Sequence, residues 1–189
     1  MARVCGVLLG AALFTGCTQG APADRTAGGP LAAPSATEIV VPLNFRTHLN
    51  GASEVPVRET RAQGQAIFKL ERDGDEMSYK LIASNIDNVF QAHIHMGPAT
   101  GTGPIVVWLY PSTSPVPGPP GAGRHDGVLA EGTITAGNLV NVLAGRPLSD
   151  LVSAIRSGNA YVNVHTNDGV APTNTGPGDF PGGEIRGQL

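Results

Sequence analysis

The sequence predicts an all-β domain, an antiparallel Greek-key β-sandwich or barrel with one or two short helices in a late crossover. Three observations carry this. Apolar residues alternate at period two through several short segments, and turn dipeptides separate those segments. Glycine (26) and proline (16) are abundant among the 189 residues, as a fold with many turns requires. A chain of this length holds one domain with a full core.

The first 16 residues read as an export signal, not as fold. Arg3 precedes an apolar run from Val4 to Phe14, which has the length of a signal h-region and is too short to span a bilayer. The run ends at Thr15-Gly16-Cys17, which resembles a bacterial lipobox with Phe14 where Leu is usual. On that reading Cys17 is the first mature residue, carries a lipid, and anchors the protein to a membrane of the cell envelope: outer membrane, periplasm or cell surface. Soluble secretion, with cleavage after Ala21-Pro22-Ala23, is the alternative. Residues 17–37 are small, with Pro and Gly, and bury too little apolar area to fold, so they form a flexible linker. The domain is expected over 38–189.

Within it, Ile39, Val41, Leu43 and Phe45 alternate into a first strand closed by Asn50-Gly51. Residues 64–71 and 76–83 read as a hairpin about Asp73-Gly74. "VFQAHIHMG" is a strand closed by Gly97-Pro98, and Ile105 to Tyr110, apolar on both faces, reads as a central strand. "SPVPGPPGAGRHDG" is a long loop, "VLAEGTIT" a short strand, and "YVNVHT" and "GEIRGQL" the last two strands. Between them, Leu148, Leu151, Val152 and Ile155 fall on one helical face, with Ser149 as N-cap, Asp150 in the first turn and Gly158 just past the end. "TAGNLVNVLAG" predicts another turn or two of helix capped by Thr135.

Net charge is −3, no basic run occurs, and the chain has two lysines, Lys69 and Lys80, so nucleic acid is not an expected partner. Cys5 lies in the signal and Cys17 at the anchor, which leaves the domain without a disulfide, a thiolate nucleophile or a Cys ligand. Metal chemistry there falls to His, carboxylate, Met or main chain.

His48 and the loop residue His125 each stand alone and read as surface or hydrogen-bonding histidines. His93 and His95 differ, because i and i+2 of a strand share a face. Their face is opposite the core side, Ala92 and Ile94. In "NAYVNVHTNDG", Tyr161, Asn163 and His165 share the face opposite Val162 and Val164. If the two strands are neighbours, three imidazoles converge, a set suited to copper or zinc. Met96, Asp168, His125 and Asp126 are weaker candidate ligands; strand alternation aims Met96 away from the pair. The other reading of the trio is a structural polar cluster in which Asn163 is a hydrogen-bond partner. Glu184, Arg186 and Gln188 share a face of the last strand, and Glu184–Arg186 reads as an ion pair. No G-x-S-x-G occurs; "GPATGTGP" lacks the Lys-Ser/Thr of a phosphate loop, and "TNDGVAPTNTGPGD" lacks EF-hand spacing.

"LNGASEVPV" (49–57), "AHIHMGPATGTGPIVVWL" (92–109), "LSDLVSAIRSGNAYVNVHT" (148–166) and "PGGEIRGQL" (181–189) together resemble the CHRD domain, a chordin-type module also found alone in bacterial exported proteins. The resemblance covers roughly residues 40–189. The sequence departs from the family pattern at "NDGVAPTNTGPGDF", a longer loop beside the suspected site that implies a lid or an added ligand such as Asp168. The H-x-H strand and distant His are also similar to the copper/zinc superoxide dismutase β-sandwich, without its cysteines or a recognisable bridging-His loop. The expected function is that of an envelope-anchored protein that sequesters or handles a metal, copper first and zinc second, rather than an enzyme. A metal-free extracellular interaction module is the alternative, and a dismutase-like redox enzyme a third. The sequence names no protein partner.

Overall fold

The computed structural model of the chain describes residues 43–113 and 115–189. The signal, lipobox, Cys17, linker and residues 39–42 of the expected first strand lie outside the described residues. Eight strands are present among these: β1 (Asn44–Asn50), β2 (Gln63–Leu70), β3 (Glu76–Asp87), β4 (Val89–Met96), β5 (Ile105–Tyr110), β6 (Arg124–Thr135), β7 (Ala160–Thr166) and β8 (Ile185–Gln188). They form one sheet in the order β5-β4-β7-β8-β1-β2-β3-β6. Every neighbouring pair is antiparallel. The architecture is all-β, as the alternation implies.

The β2–β3 hairpin forms where Asp73-Gly74 placed it, with Leu70 opposite Met77. Gly74 takes φ +82°, open to glycine at no steric cost. Gly64, Ala66, Phe68 and Leu70 of β2 point inward, and their neighbours face solvent. The sheet curls around a core in which Leu49, Phe68, Met77, Leu81, Ile86, Ile94, Leu109 and Ile185 are fully buried. Each such side chain contributes about 1.5–3 kcal/mol on burial.

β5 corrects the sequence reading. It is the end strand of the order, paired only with β4. Its apolar character on both faces comes from closure of the sheet on itself. The carbonyls of its open edge are taken from the β3–β6 side: the Tyr79 hydroxyl donates to Leu109 O (2.7 Å), Val140 N–H to Val106 O (3.0 Å), and the Asn141 amide to Ile105 O (2.9 Å). An edge so covered presents no free carbonyl row to another chain.

β6 begins at Arg124, earlier than the predicted short strand, because Arg124 and His125 pair with Asp87 and Ile86 across a β-bulge. The helix α1 (Leu148–Arg156) buries Leu148, Leu151, Val152 and Ile155, as the spacing required. Its N-cap position is Pro147, not Ser149, and no side chain caps it. Asp150 instead accepts from Arg146 Nε at 2.6 Å. Gly158 follows the helix at φ +69°. The expected second helix is two separate 3-10 turns, Ala136–Asn138 and Asn141–Leu143. At the first, Asn138 Oδ1 accepts from the Thr135 N–H (2.8 Å) and hydroxyl (3.1 Å).

Candidate metal centre

β4 and β7 are neighbours, with His93 opposite Asn163, His95 opposite Tyr161 and Gln91 opposite His165. Period two puts His93, His95, Tyr161, Asn163 and His165 on one face, and Ala92, Ile94, Val162 and Val164 on the other. Both faces are buried. His93 is fully buried, and His95 and His165 are 8% and 5% exposed. The histidine face is covered by loops, which period-two reasoning on the strands cannot reveal.

His93 Nδ1 lies 3.1 Å from His165 Nε2. One ligand atom from each of the three rings lies within 4.8 Å of the others. Two nitrogens at the usual 2.0–2.1 Å from one ion are at most about 4.2 Å apart, so a drawing-in of under about 1 Å suffices to share it. The 3.1 Å pair subtends about 98° at such an ion, close to tetrahedral or square geometry.

Two loop carbonyls set the ring tautomers. His95 Nδ1 lies 2.8 Å from Gly103 O, and His165 Nδ1 lies 2.9 Å from Pro181 O. A carbonyl only accepts, so both Nδ1 atoms carry hydrogen and donate, and both Nε2 atoms keep lone pairs. This is the outer-shell pattern that orients metal-binding imidazoles. His93 Nε2 and His95 Nε2 are buried without a hydrogen-bond partner among the described residues. Leaving such a group unpaired costs about 1–3 kcal/mol, and an ion shared through His93 Nδ1 would offset that cost at His95 Nε2.

The electrostatics favour neutral rings. Burial, reinforced by the charges His165 and His95 would carry, pushes His93 down to about 2. Burial pushes His165 down to about 4, against the Pro181 carbonyl, which favours the protonated form. Burial also lowers His95. Three uncharged imidazoles at neutral pH are three ready ligands.

Aromatic rings wall the cluster. Trp108 of β5 packs edge-on against His93, with centroids 4.2 Å apart, and Tyr161 stacks on His95 at 4.9 Å. Arg186 lies over Tyr161, 3.4 Å from its centroid. Beyond Asn163 sits Glu54, buried and pushed up to about 7 by desolvation, which outweighs the Val55 N–H and the Arg186 and Arg58 charges. Gly183, at φ +124°, makes room here, since a Cβ would stand 2.5 Å from Glu54 Oε1 and 2.9 Å from Asn163 Nδ2.

The remaining candidate ligands stand outside the trio. Met96 packs against the hydrophobic core, as alternation predicted. His125 is on strand β6, not in a loop, with Nε2 facing Gly127 O at 3.3 Å. Asp126 pairs with Arg124 Nε at 2.8 Å and accepts from Asn85 N–H. Asp168 accepts from Val170 N–H at 2.8 Å. The long 167–180 loop leads to the site through Phe180 and the Pro181 carbonyl, not through Asp168. His48 is exposed.

The expected Glu184–Arg186 ion pair does not form. Glu184 accepts from Thr60 Oγ1 (2.6 Å), Thr166 Oγ1 (2.6 Å) and Gly178 N–H (2.8 Å). Arg186 donates to Gly101 O (2.8 Å), Pro98 O (2.7 Å) and Gln188 Oε1 (3.3 Å). Sequence reasoning also passed over Glu54 and Trp108. The signal for Glu54 was a lone carboxylate inside "NGASEVPV"; for Trp108, it was a large aromatic one turn downstream of the H-x-H strand.

A family profile describing the CHRD domain matches residues 45–189. No curated protein and no solved structure matches the chain.

Proposed function

The chain belongs to the CHRD-domain family, and from that membership and its three-histidine centre we propose a transition-metal-binding protein that sequesters or handles its ion at the cell envelope. The observation that carries this is the pair of loop carbonyls. Gly103 O and Pro181 O leave the Nε2 lone pairs of His95 and His165 facing the cluster, where His165 Nε2 meets His93 Nδ1 at 3.1 Å and His95 Nε2 is buried without a hydrogen bond. A purely structural cluster would be expected to pair His95 Nε2 as well. Copper is the ion proposed, since a site of neutral imidazoles binds Cu(II) more tightly than other first-row divalent ions; zinc, which imidazole also suits, is the second choice. Burial of all three rings favours holding an ion over turning a substrate over on it, so the dismutase-like reading ranks below storage or transfer. Retention at the envelope is proposed to come from a lipid on Cys17.

Titration calorimetry of the domain with Cu(II), with Cu(I) under reductant and with Zn(II) tests the metal reading. Binding near 1:1 that is lost in a His93→Ala/His95→Ala/His165→Ala variant supports it, and equal affinity in that variant overturns it. Labelling with a radioactive fatty acid, absent in Cys17→Ala, tests the anchor.

A further inference from the structure

Glu184 and Arg186 are two residues apart on the closing segment, and both are buried, at 0% and 1% exposure. Two charged side chains in such a place are normally each other's partners. Here each is spent on a different loop. We infer that Glu184 and Arg186 are the positioning residues of the metal centre, each setting one ligand through one loop carbonyl: Glu184 sets His165 through Pro181, and Arg186 sets His95 through Gly103. The inference rests on the three-histidine reading above.

On the Glu184 branch, Oε2 accepts from Gly178 N–H and from Thr166 Oγ1. Thr166 Oγ1 in turn accepts from Phe180 N–H at 3.0 Å, and Phe180 O accepts from Gly183 N–H at 2.9 Å. Pro181, the next residue, is thereby fixed with its carbonyl on His165 Nδ1. Oε1 ties the same unit to Thr60 on a third segment.

The Arg186 branch has the same logic. Its guanidinium donates to Gly101 O and Pro98 O, bracing the 97–103 turn. The same guanidinium lies over the Tyr161 ring, whose hydroxyl accepts from Gly103 N–H at 3.1 Å. Gly103 is thus held from both sides while its carbonyl accepts from His95 Nδ1. A planar, forked donor suits this task, and an ammonium does not reproduce it. Outer-shell groups of this kind typically alter metal affinity 10–100-fold.

The test is a pair of double-mutant cycles in the full chain, read by Cu(II) competition titration and electron paramagnetic resonance. Glu184→Ala is expected to weaken Cu(II) binding by roughly 10–100-fold in the wild-type background and to have no further effect in His165→Ala. Arg186→Lys is expected to weaken binding in wild type and to have no further effect in His95→Ala. Glu184→Gln restores binding, because its amide oxygen still accepts from Gly178 and Thr166 while its NH2 donates to Thr60. Losses of equal size in both backgrounds show general damage to the fold and overturn the inference. Should Glu184→Ala fail to fold, Thr166→Val cuts the same branch at the hydroxyl and is held to the same cycle.

A metal-free measurement separates this inference from the metal reading. Nitrogen-15 shifts of the imidazoles in the apo protein report the tautomers. The Nδ1–H form of His165 is expected in wild type and mixed tautomers in Thr166→Val or Glu184→Ala. A wild type that binds no copper defeats the metal reading alone, whereas an unchanged His165 tautomer in both variants defeats the positioning role.

Discussion

His93 Nδ1 and His165 Nε2 stand 3.1 Å apart across two neighbouring strands, although 72 positions separate them in the chain. That contact turns a common H-x-H pair into a three-ligand cluster. Replacing any of the three by Ala should therefore lower copper affinity by more than the 10–100-fold typical of outer-shell losses. Competition against a chelator of known affinity checks this. Unchanged affinity in any single variant removes that ring from the ligand set.

Metal should also stabilise the fold. An ion that binds only the folded chain adds about 2.7 kcal/mol at a free concentration of 100 Kd. Thermal unfolding with and without copper, followed by chelator, should show a rise in Tm and its reversal. A Tm indifferent to copper at saturating concentration contradicts the site.

The metal-free protein should lose stability in mild acid. Folded-state values of about 2 for His93 and about 4 for His165, and a lowered His95, lie below the ordinary 6.5, so the unfolded chain binds more protons as pH falls below 6.5. Glu54, raised to about 7, has the opposite sign and adds stability that fades as pH rises from 4.5 through 7. Near pH 5 the three histidines outweigh the one carboxyl, giving a slope of at most about 2–3 kcal/mol per pH unit. Urea midpoints should rise from pH 4.5 and level off above about pH 7. A flat profile indicates that the rings titrate normally.

Trp108 is the single tryptophan and lies against His93. Cu(II) at the trio should quench its fluorescence strongly, and closed-shell Zn(II) much less. Quenching that survives in the triple histidine variant places the copper elsewhere.

Gly183→Ala should destabilise the fold by roughly 1–3 kcal/mol, since it combines φ +124° with a Cβ 2.5 Å from Glu54 Oε1. Denaturant unfolding measures it. Glu54→Ala in the same chain should relieve part of that cost, and a strictly additive double variant indicates that backbone strain alone is responsible.

Much of the site was legible in the sequence. His93 and His95 share a face because side chains alternate along any strand, and the same rule put Tyr161, Asn163 and His165 together. The β2–β3 hairpin followed from Asp73-Gly74, and the face of α1 from its apolar spacing. The Glu184–Arg186 pair and the central placement of β5 were inferred from neighbours in sequence, yet each was decided by groups far along the chain: Thr60 and Gly101 for the pair, Tyr79 and Asn141 for the strand. The N-cap differs for a local reason, since the helix already begins at Leu148, after Pro147.

The sequence by itself determined the all-β class, the absence of cysteine from the domain, and the face on which each histidine lies, because side-chain alternation is a local property of the backbone. Only the tertiary structure decided that β4 lies beside β7, that loops bury the histidine face, and that Gly103 and Pro181 point the Nε2 lone pairs inward. Strand adjacency across 72 positions depends on how the whole sheet closes over its core, and a loop carbonyl's direction depends on what holds the loop. Neither leaves a period in the chain.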